Sequence, residues 1–278
     1  MKILQKQRLA ILTGLVGLLL MTNQSKAGWV NAEGRYHFES NITKEECNYQ
    51  ALLAAKKDAL SKINLEKLSS VEMEVCTEAG EQTNCELHSQ TFNYLDGGYI
   101  SETKNVTQTR EGVNTGNEEC VAKIEANVHQ YTEKPDPDFF LEASISGKVK
   151  KFHGESFTII GKTSQKAYIY VFFWSPNDER DEYTTLIPND FDPKIVSNRT
   201  FQAPSKPRNE VDYVLSAEFP EDIKRDEIIE YFFVLATKRP FKTMDSESVE
   251  SFWKRLDEFG RSNWRLKHLG YSILRGDV

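Results

Sequence analysis

Hydrophobic and polar positions alternate over much of the chain, and this two-residue period predicts a protein built mainly of β-strands. The strands predicted in the first half are residues 29–38, 71–75, 85–95, 99–108 and 120–131. One helix is predicted after the first of them, at residues 46–63, because Thr43 and Glu46 form a capping box. Its apolar face is expected to carry Leu52, Ala55, Ala59 and Ile63. The first half is therefore expected to be an α+β domain, one helix on an antiparallel sheet.

The strands predicted in the second half lie at residues 156–174, 183–188, 211–219 and 227–241, with Gly161 expected to turn the chain inside the first. The first and last segments hold continuous apolar runs, whereas 211–219 alternates in part. In residues 167–174, alternation assigns the side chains to two faces: Tyr168, Tyr170, Phe172 and Trp174 on one, and Ile169, Val171 and Phe173 on the other. Strands that are hydrophobic on both faces lie between two layers, so we expect a sheet that is covered on both sides.

An amphipathic helix is predicted at residues 246–260, followed by a last strand at 264–274. Its apolar side chains are Val249, Phe252, Trp253, Leu256 and Phe259. This face could pack on the sheet or dock to a partner. We expect Phe252 and Leu256 to pack, with Trp253 at the rim as a partner contact. Trp174, at the end of its strand, is the second candidate contact.

The first 27 residues differ from the rest of the chain. Lys2, Lys6 and Arg8 precede an apolar stretch, and Ser25-Lys26-Ala27 fits a small-x-small cleavage site, which predicts a secretory signal peptide. The alternative is a membrane anchor, but the 13 mostly apolar residues from 9 to 21 fall short of a membrane span, which needs about 20. No transmembrane segment is therefore expected after cleavage.

A proline-containing segment predicts how the rest of the chain divides. Residues 132–139 contain two prolines and interspersed acids, which discourage regular structure. We expect a linker there, between an α+β domain at 28–131 and a mostly-β, sandwich-like domain at 140–278 that ends in the amphipathic helix and a strand.

Four cysteines lie in the first half: Cys47, Cys76, Cys85 and Cys120. An even number in an exported chain predicts two disulfides, whereas the alternative, a zinc site, would need Cys-x-x-Cys or clustered histidine spacing. Cys76 and Cys85 flank a turn between two predicted strands, so they can face each other across a hairpin. That leaves Cys47, at the start of the helix, for Cys120.

Charge and motif content limit the chemistry. Removal of the leader, which holds four basic and no acidic residues, takes the formal charge from −7 to −11, so a nucleic-acid partner is not expected. The five histidines lie far apart, and no serine-nucleophile or phosphate-loop motif occurs, so we predict no catalytic residue, no metal and no cofactor. Acidic segments at 136–138, 177–182 and 189–192 are interpreted as polar turns, with calcium binding as the alternative.

Two family resemblances follow from short motifs. AEGRY at 32–36, AAKKDAL at 54–60 and AKIEANV at 122–128 resemble the N-terminal domain of the flagellar ring assembly protein T and related small envelope lipoproteins. AYIYVFFW at 167–174, LIPND at 186–190, VLSAEFP at 214–220 and VLATKRPF at 234–241 resemble the bacterial domain of unknown function numbered 4384, a β-rich module of exported proteins. The connectors at 177–182 and 221–227 lack the glycines expected in that family.

These resemblances imply a non-enzymatic periplasmic or secreted protein that binds another envelope component, with an assembly or scaffold role. The alternative is a carbohydrate-binding or glycan-hydrolysing module, which would show exposed Trp174 or Trp253 beside carboxylates in a groove. The expected partner is thus an envelope protein or a glycan.

Overall fold

A computed structural model describes residues 27–38, 42–62, 98–113, 117–176, 178, 180–205, 214–221, 223 and 225–275, and the backbone of 68–79 and 82–95. The predicted signal peptide, except for Ala27, lies outside the described residues. The described chain contains two α-helices and is mostly β, with antiparallel sheets, one helix on the first sheet, and a helix then a strand at the end. The predicted fold class is confirmed. Neither helix of this described part is long and apolar enough to cross a membrane.

The first half forms a five-stranded sheet in the order β1-β5-β4-β3-β2, with one helix on one face. The elements are β1 Ala27–His37, α1 Lys44–Ser61, β2 Leu68–Ala79, β3 Gln82–Leu95, β4 Gly98–Glu111 and β5 Glu119–Gln130. The helix begins where the capping box predicts, since the Thr43 hydroxyl accepts a hydrogen bond from the Glu46 backbone N–H at 3.1 Å.

Gly34 allows α1 to lie directly on the sheet. A Cβ at this position would lie 2.1 Å from the Ala55 nitrogen and 2.3 Å from the Ala51 oxygen, so no larger side chain fits without moving the helix. Small residues on both surfaces thus bring the two backbones together, which gives AEGRY and the helix motif a packing reason. Ala51, Ala55 and Ala59 pack with Ala122 and Ala126 of β5 in this core.

A disulfide joins the start of α1 to the start of β5. The Sγ atoms of Cys47 and Cys120 are 2.05 Å apart, and both residues are fully buried in the core under the helix. Cys76 and Cys85 lie directly opposite each other in the backbone register of β2 and β3. The register therefore suits the predicted hairpin pair.

Replacing both Cys47 and Cys120 by alanine is expected to lower the free energy of unfolding by about 2–4 kcal/mol. The bridge spans 73 residues, so its loss frees a long loop in the unfolded chain. The matched Cys76→Ala/Cys85→Ala variant should lose less, because that pair closes a much shorter loop. Urea unfolding of the two variants measures the difference, and peptide mapping without reduction that found a Cys47–Cys76 link would contradict the pairing.

The second half contains strands β6 to β17 and a second helix. Those with more than three residues are β6 Leu141–Ile145, β9 Ile159–Thr163, β10 Ala167–Trp174, β11 Glu182–Ile187, β13 Thr200–Ala203, β15 Glu227–Thr237, α2 Val249–Phe259 and β17 Trp264–Leu274. The short strands are β7 Lys150–Phe152, β8 Ser156–Phe157, β12 Ile195–Ser197, β14 Leu215–Ser216 and β16 Ser246–Ser248. A seven-stranded sheet runs in the order β16-β11-β10-β15-β17-β7, with β12 also on β10, and is accompanied by the sheets β13-β9-β6 and β14-β8.

The seven-stranded sheet is covered on both sides, as its sequence predicts. Ile169 and Val171 of β10 pack into a core with residues of the smaller sheets, including Ile159 and Phe201. Side chains on the opposite face of β10 pack into a second cluster, formed by Tyr49, Leu53, Tyr99, Tyr170, Phe172, Trp174, Tyr183, Tyr231, Phe233, Leu235, Phe241, Val249, Phe252, Trp253, Leu256 and Trp264. We call this set the junction cluster, because it joins α1 and β4 of the first half to β10, β15 and α2 of the second.

Two local predictions for the second half are wrong. Gly161 lies inside β9 instead of at a turn, and its lack of a side chain leaves room for the ring of Phe201 on the neighbouring strand, which a Cβ would approach to 2.4 Å. The strand predicted at 211–219 shortens to Leu215–Ser216, and residues 211–213 lie outside the described part.

The linker at 132–139 has no helix or strand, and Phe139 at its end is buried in the core. Separate folding of the two predicted domains stays a prediction.

Candidate functional site

Both tryptophans predicted as partner contacts lie in the junction cluster, so the prediction that they are exposed is wrong. Trp174 is 3% exposed and Trp253 is 0% exposed. Trp253 packs between Phe252, Tyr183 and Trp264, with ring centroids 5.3 to 6.5 Å apart. The first half of the chain, together with α2, covers the face of the sheet on which Trp174 lies, and Trp253 belongs to α2. Local sequence contains no information on this cover, because it depends on contacts between distant segments.

A buried group of charges lies beside Trp174 in the junction. The Lys56 ammonium of α1 lies 2.6 Å from the Asp181 carboxylate, in the loop before β11, and 3.2 Å from the Glu250 carboxylate of α2. Asp181 Oδ1 also accepts hydrogen bonds from the Tyr49 hydroxyl at 3.2 Å and from Trp174 Nε1 at 3.0 Å. Helix α1, strand β10 and the loop before β11 therefore meet at the Asp181 carboxylate. Asp181, in the predicted polar turn at 177–182, is largely buried, because these donors replace the water that burial removes.

Electrostatics keep this group ionised. Burial alone would raise the pKa of Asp181, but the Lys56 ammonium and the donated hydrogen bonds hold it below its usual value. Burial alone would lower the pKa of Lys56, and the two carboxylates raise it above its usual value instead. For Tyr49, burial and then the Asp181 charge raise the pKa well above the ordinary value, so its hydroxyl stays a donor. We call Lys56, Asp181 and Glu250 the ion-pair joint, because their contacts connect the two halves of the chain.

Glu230 on β15 is a second buried carboxyl, 5% exposed, and it accepts a hydrogen bond from the Tyr271 hydroxyl at 2.6 Å. Burial raises the pKa of Glu230 to about 7, although the bond from Tyr271 opposes the rise. Glu230 lies on the same face of β15 as Ile228 and Phe232, and both of these side chains belong to the core between the sheets. A raised pKa is typical of general acids, but this carboxyl faces the packed core.

Replacing Glu230 by glutamine is expected to stabilise the protein at pH 8 and to leave its stability nearly unchanged at pH 4. Because the pKa in the folded state, about 7, lies above the ordinary value of 4.5, the stabilising contribution of Glu230 is fully present below pH 4.5 and is lost as the pH rises to about 7. A neutral amide avoids that loss, so Glu230→Gln should raise the free energy of unfolding by about 1–3 kcal/mol at pH 8. Urea unfolding at both pH values measures it, and an equal effect at both would contradict the assignment.

His268 is also buried, at 7% exposed. It packs edge-on against the ring of Phe233 with centroids 4.6 Å apart, and burial lowers the pKa of His268 to about 3. A neutral imidazole results. In the described residues no group of three or more histidine, cysteine, aspartate or glutamate side chains is arranged to hold a metal ion.

The acidic segments proposed as alternative calcium sites use their oxygens internally. The Asp192 carboxylate is buried and accepts hydrogen bonds from the backbone N–H and hydroxyl of Ser205. Asn189 Oδ1 accepts from the N–H groups of Phe191 and Asp192, which closes the turn. Asp136 accepts hydrogen bonds from Lys238 and Arg265. These contacts are those of polar turns.

An exposed tryptophan lies on the outer face of the first sheet, opposite to α1. Trp29 is 44% exposed, and the Lys104 ammonium lies 3.7 Å from the centroid of its ring. Trp29 is paired with Asn127, while Asn31 and Lys104 are both paired with Glu125 across the strands. We call these five residues the Trp29 face. The sequence contained its signal, since alternation in residues 29–38 places one large aromatic side chain among polar ones.

Two shallow pockets open on the outer faces of sheets. The larger, about 710 Å³, lies on the three-stranded sheet and is lined by residues that include Glu142, Ser144, Ile160, Lys162 and Gln202. The smaller, about 380 Å³, adjoins the Trp29 face and is lined by Asn31, Glu125, Glu33, Asn105, Lys123 and Lys62 among others. Neither of these two pockets is lined by Lys56, Asp181 or Glu230.

Comparison with known proteins finds no matching family model, no matching curated protein and no matching solved structure. The two family resemblances therefore stay predictions, and function is argued from the sites.

Proposed function

We propose that this chain is a non-enzymatic protein, exported to the periplasm or the cell exterior, that binds another envelope component in an assembly or scaffold role. The signal-peptide pattern at the amino terminus supports export. The Cys47–Cys120 bridge supports an oxidising compartment, since disulfides persist there and are rare in the cytosol. The resemblance to the flagellar ring assembly protein T supports an envelope partner.

The observation that carries this proposal is that the buried ionisable groups of shifted pKa are separated from the accessible pockets. Enzymes place groups of shifted pKa in an open cleft where a substrate reaches them. Here Lys56, Asp181 and Glu230 are largely buried against protein partners, whereas the two pockets are lined by other, more exposed residues. Such an arrangement supports a protein that binds its partner through exposed surface residues.

The alternative, a carbohydrate module, is favoured in its binding form by exposed Trp29. Its hydrolytic form would need one carboxylic acid that stays protonated to donate to the leaving oxygen. On the outer face of the first sheet, hydrogen bonding by Arg35 lowers the pKa of Glu33, and hydrogen bonding by Asn105 lowers the pKa of Glu125. Both carboxylates are suited to accept hydrogen bonds rather than to donate a proton.

Co-sedimentation of the mature chain with isolated cell envelopes tests the proposal. We expect saturable binding that unlabelled protein competes away, with no release of reducing sugar ends during the incubation. A heat-unfolded sample of the same chain controls for non-specific adsorption. Absence of saturable binding would contradict an envelope-binding role, and release of reducing ends would support the hydrolytic alternative.

A further inference from the structure

We infer that the Trp29 face binds an uncharged oligosaccharide, with one sugar ring stacked on the indole and its hydroxyl groups bonded to the neighbouring amides and carboxylate. The inference rests on the proposed function, because it names the envelope component as a glycan. Three properties of the described residues carry it: a fixed aromatic ring, a matching set of polar groups, and balanced charge.

The indole of Trp29 is exposed yet held in place. The Lys104 ammonium lies 3.7 Å from the centroid of the ring and 3.3 Å from the Glu125 carboxylate, so it contacts the indole and a carboxylate at the same time. The indole remains 44% exposed beside this clamp. A ring that is already fixed loses little side-chain entropy on binding, which favours stacking of a ligand with a flat apolar side. The C–H face of a pyranose ring has this shape.

Polar groups surround the indole on neighbouring strands. Asn127 is directly opposite Trp29, and Asn31 and Glu125 form the next cross-strand pair on the same face. Amides both donate and accept hydrogen bonds and a carboxylate accepts two or more, which matches hydroxyl groups that do both. Neighbouring strands lie about 4.8 Å apart, close to the width of one sugar ring. The adjoining pocket of about 380 Å³ extends the polar surface from Asn31 and Glu125.

Charge on this surface is balanced in pairs. Besides the Lys104–Glu125 pair, Lys123 lies 3.5 Å from Glu33, and Arg35 on the same face is paired with three carboxylates, so each of these cations has an anionic partner. A polyanion would gain no net attraction from such a surface, and the acidic mature chain would repel it. This balance favours a neutral sugar over a phosphate-rich or sulfated ligand.

A partner β-strand is disfavoured at the free edge of β1 because side chains from α1 and from the residue that follows it bond two of its backbone groups. Asp58 Oδ2 accepts a hydrogen bond from the Glu33 N–H at 3.0 Å, and the Lys62 ammonium donates to the Asn31 carbonyl at 2.7 Å. Strand addition needs these groups free. The flat outer face, rather than the edge, is left for binding, and it suits an extended chain.

Titration with defined oligosaccharides tests the inference on the full mature chain. The probes are chitotetraose and cellotetraose, which are extended and uncharged, with dextran sulfate as the polyanion. We expect at least one extended probe to bind and to shield Trp29 from acrylamide quenching. Trp29→Ala should weaken calorimetric binding at least tenfold. Phe152→Ala, which removes another exposed aromatic side chain (58% exposed) in the second half, should leave it unchanged.

The outcomes separate this inference from the proposed function. If wild type binds envelopes but neither extended probe, or binds only dextran sulfate, the glycan inference is overturned while envelope binding stands. If it binds neither envelopes nor probes, both fail. Equal affinity of wild type and folded Trp29→Ala would also overturn the site. Shielding of the wild-type indole from acrylamide gives an answer even if the variant fails to fold.

Discussion

Replacing Lys56 by alanine is expected to lower the free energy of unfolding by about 3–5 kcal/mol, because it leaves the Asp181 carboxylate buried without its cation. Lys56 is 4% exposed and pairs with carboxylates from two other segments, Asp181 and Glu250. The same change removes a contact between α1 and α2, so both halves of the junction should lose stability together. Urea unfolding followed by circular dichroism measures the loss.

Lys57→Ala is the matched control, since Lys57 is the next residue of the same helix and is exposed. Its effect should stay within about 0.5 kcal/mol, as for most surface substitutions. Removing both charges with Lys56→Met/Asp181→Asn should cost less than the sum of the two single changes, because the Asp181 carboxylate is removed together with its cation and only the more exposed Glu250 is left without a partner lysine. Additive losses, or equal losses at Lys56 and Lys57, would contradict the ion-pair joint.

Trp253→Ala is expected to lower the free energy of unfolding by about 3–5 kcal/mol, the usual cost of removing a buried large aromatic side chain. Trp253 is fully buried between α2 and the sheet, where it packs against Tyr183 and Trp264. Alanine would leave a cavity that these rigid rings cannot fill. Thermal and urea unfolding give the magnitude.

The control for this change is Trp29→Ala, which removes the same side chain from an exposed position. We expect its stability to change by about 0.5 kcal/mol or less. A near-normal melt of Trp253→Ala would contradict the packing role of α2 and restore docking as the role of its aromatic face.

The layered fold could be predicted because side-chain alternation is a local property. The two faces of β10 were assigned from sequence alone, and Val171 and Phe172 do pack into different cores on opposite sides of the sheet. The amphipathic helix was likewise readable, since Val249, Phe252 and Leu256 recur at helical spacing and are buried. In both elements the period of the pattern decides which side is covered.

The junction could not be predicted, because it depends on which distant segments meet. Trp174 ends a strand beside a proline, and locally that position looks exposed. Its burial follows from α1, which brings Lys56 and Tyr49 to Asp181, and the Trp174 indole N–H then completes the same network. Asp181 also takes a left-handed backbone conformation with φ 48°, and it accepts the Val249 N–H at the start of α2. A charged loop sequence carries no sign of such partners.

The most direct test compares two tryptophans in one binding measurement, because the proposed role of the buried junction is structural and that of the Trp29 face is binding. Saturable co-sedimentation with isolated envelopes would be measured for wild type, Trp253→Phe and Trp29→Ala, each first shown to be folded by its melt. We expect Trp253→Phe to bind like wild type and Trp29→Ala to bind at least tenfold more weakly. Loss of binding in folded Trp253→Phe, with full binding retained in Trp29→Ala, would contradict the assignment of binding to the outer face of the first sheet.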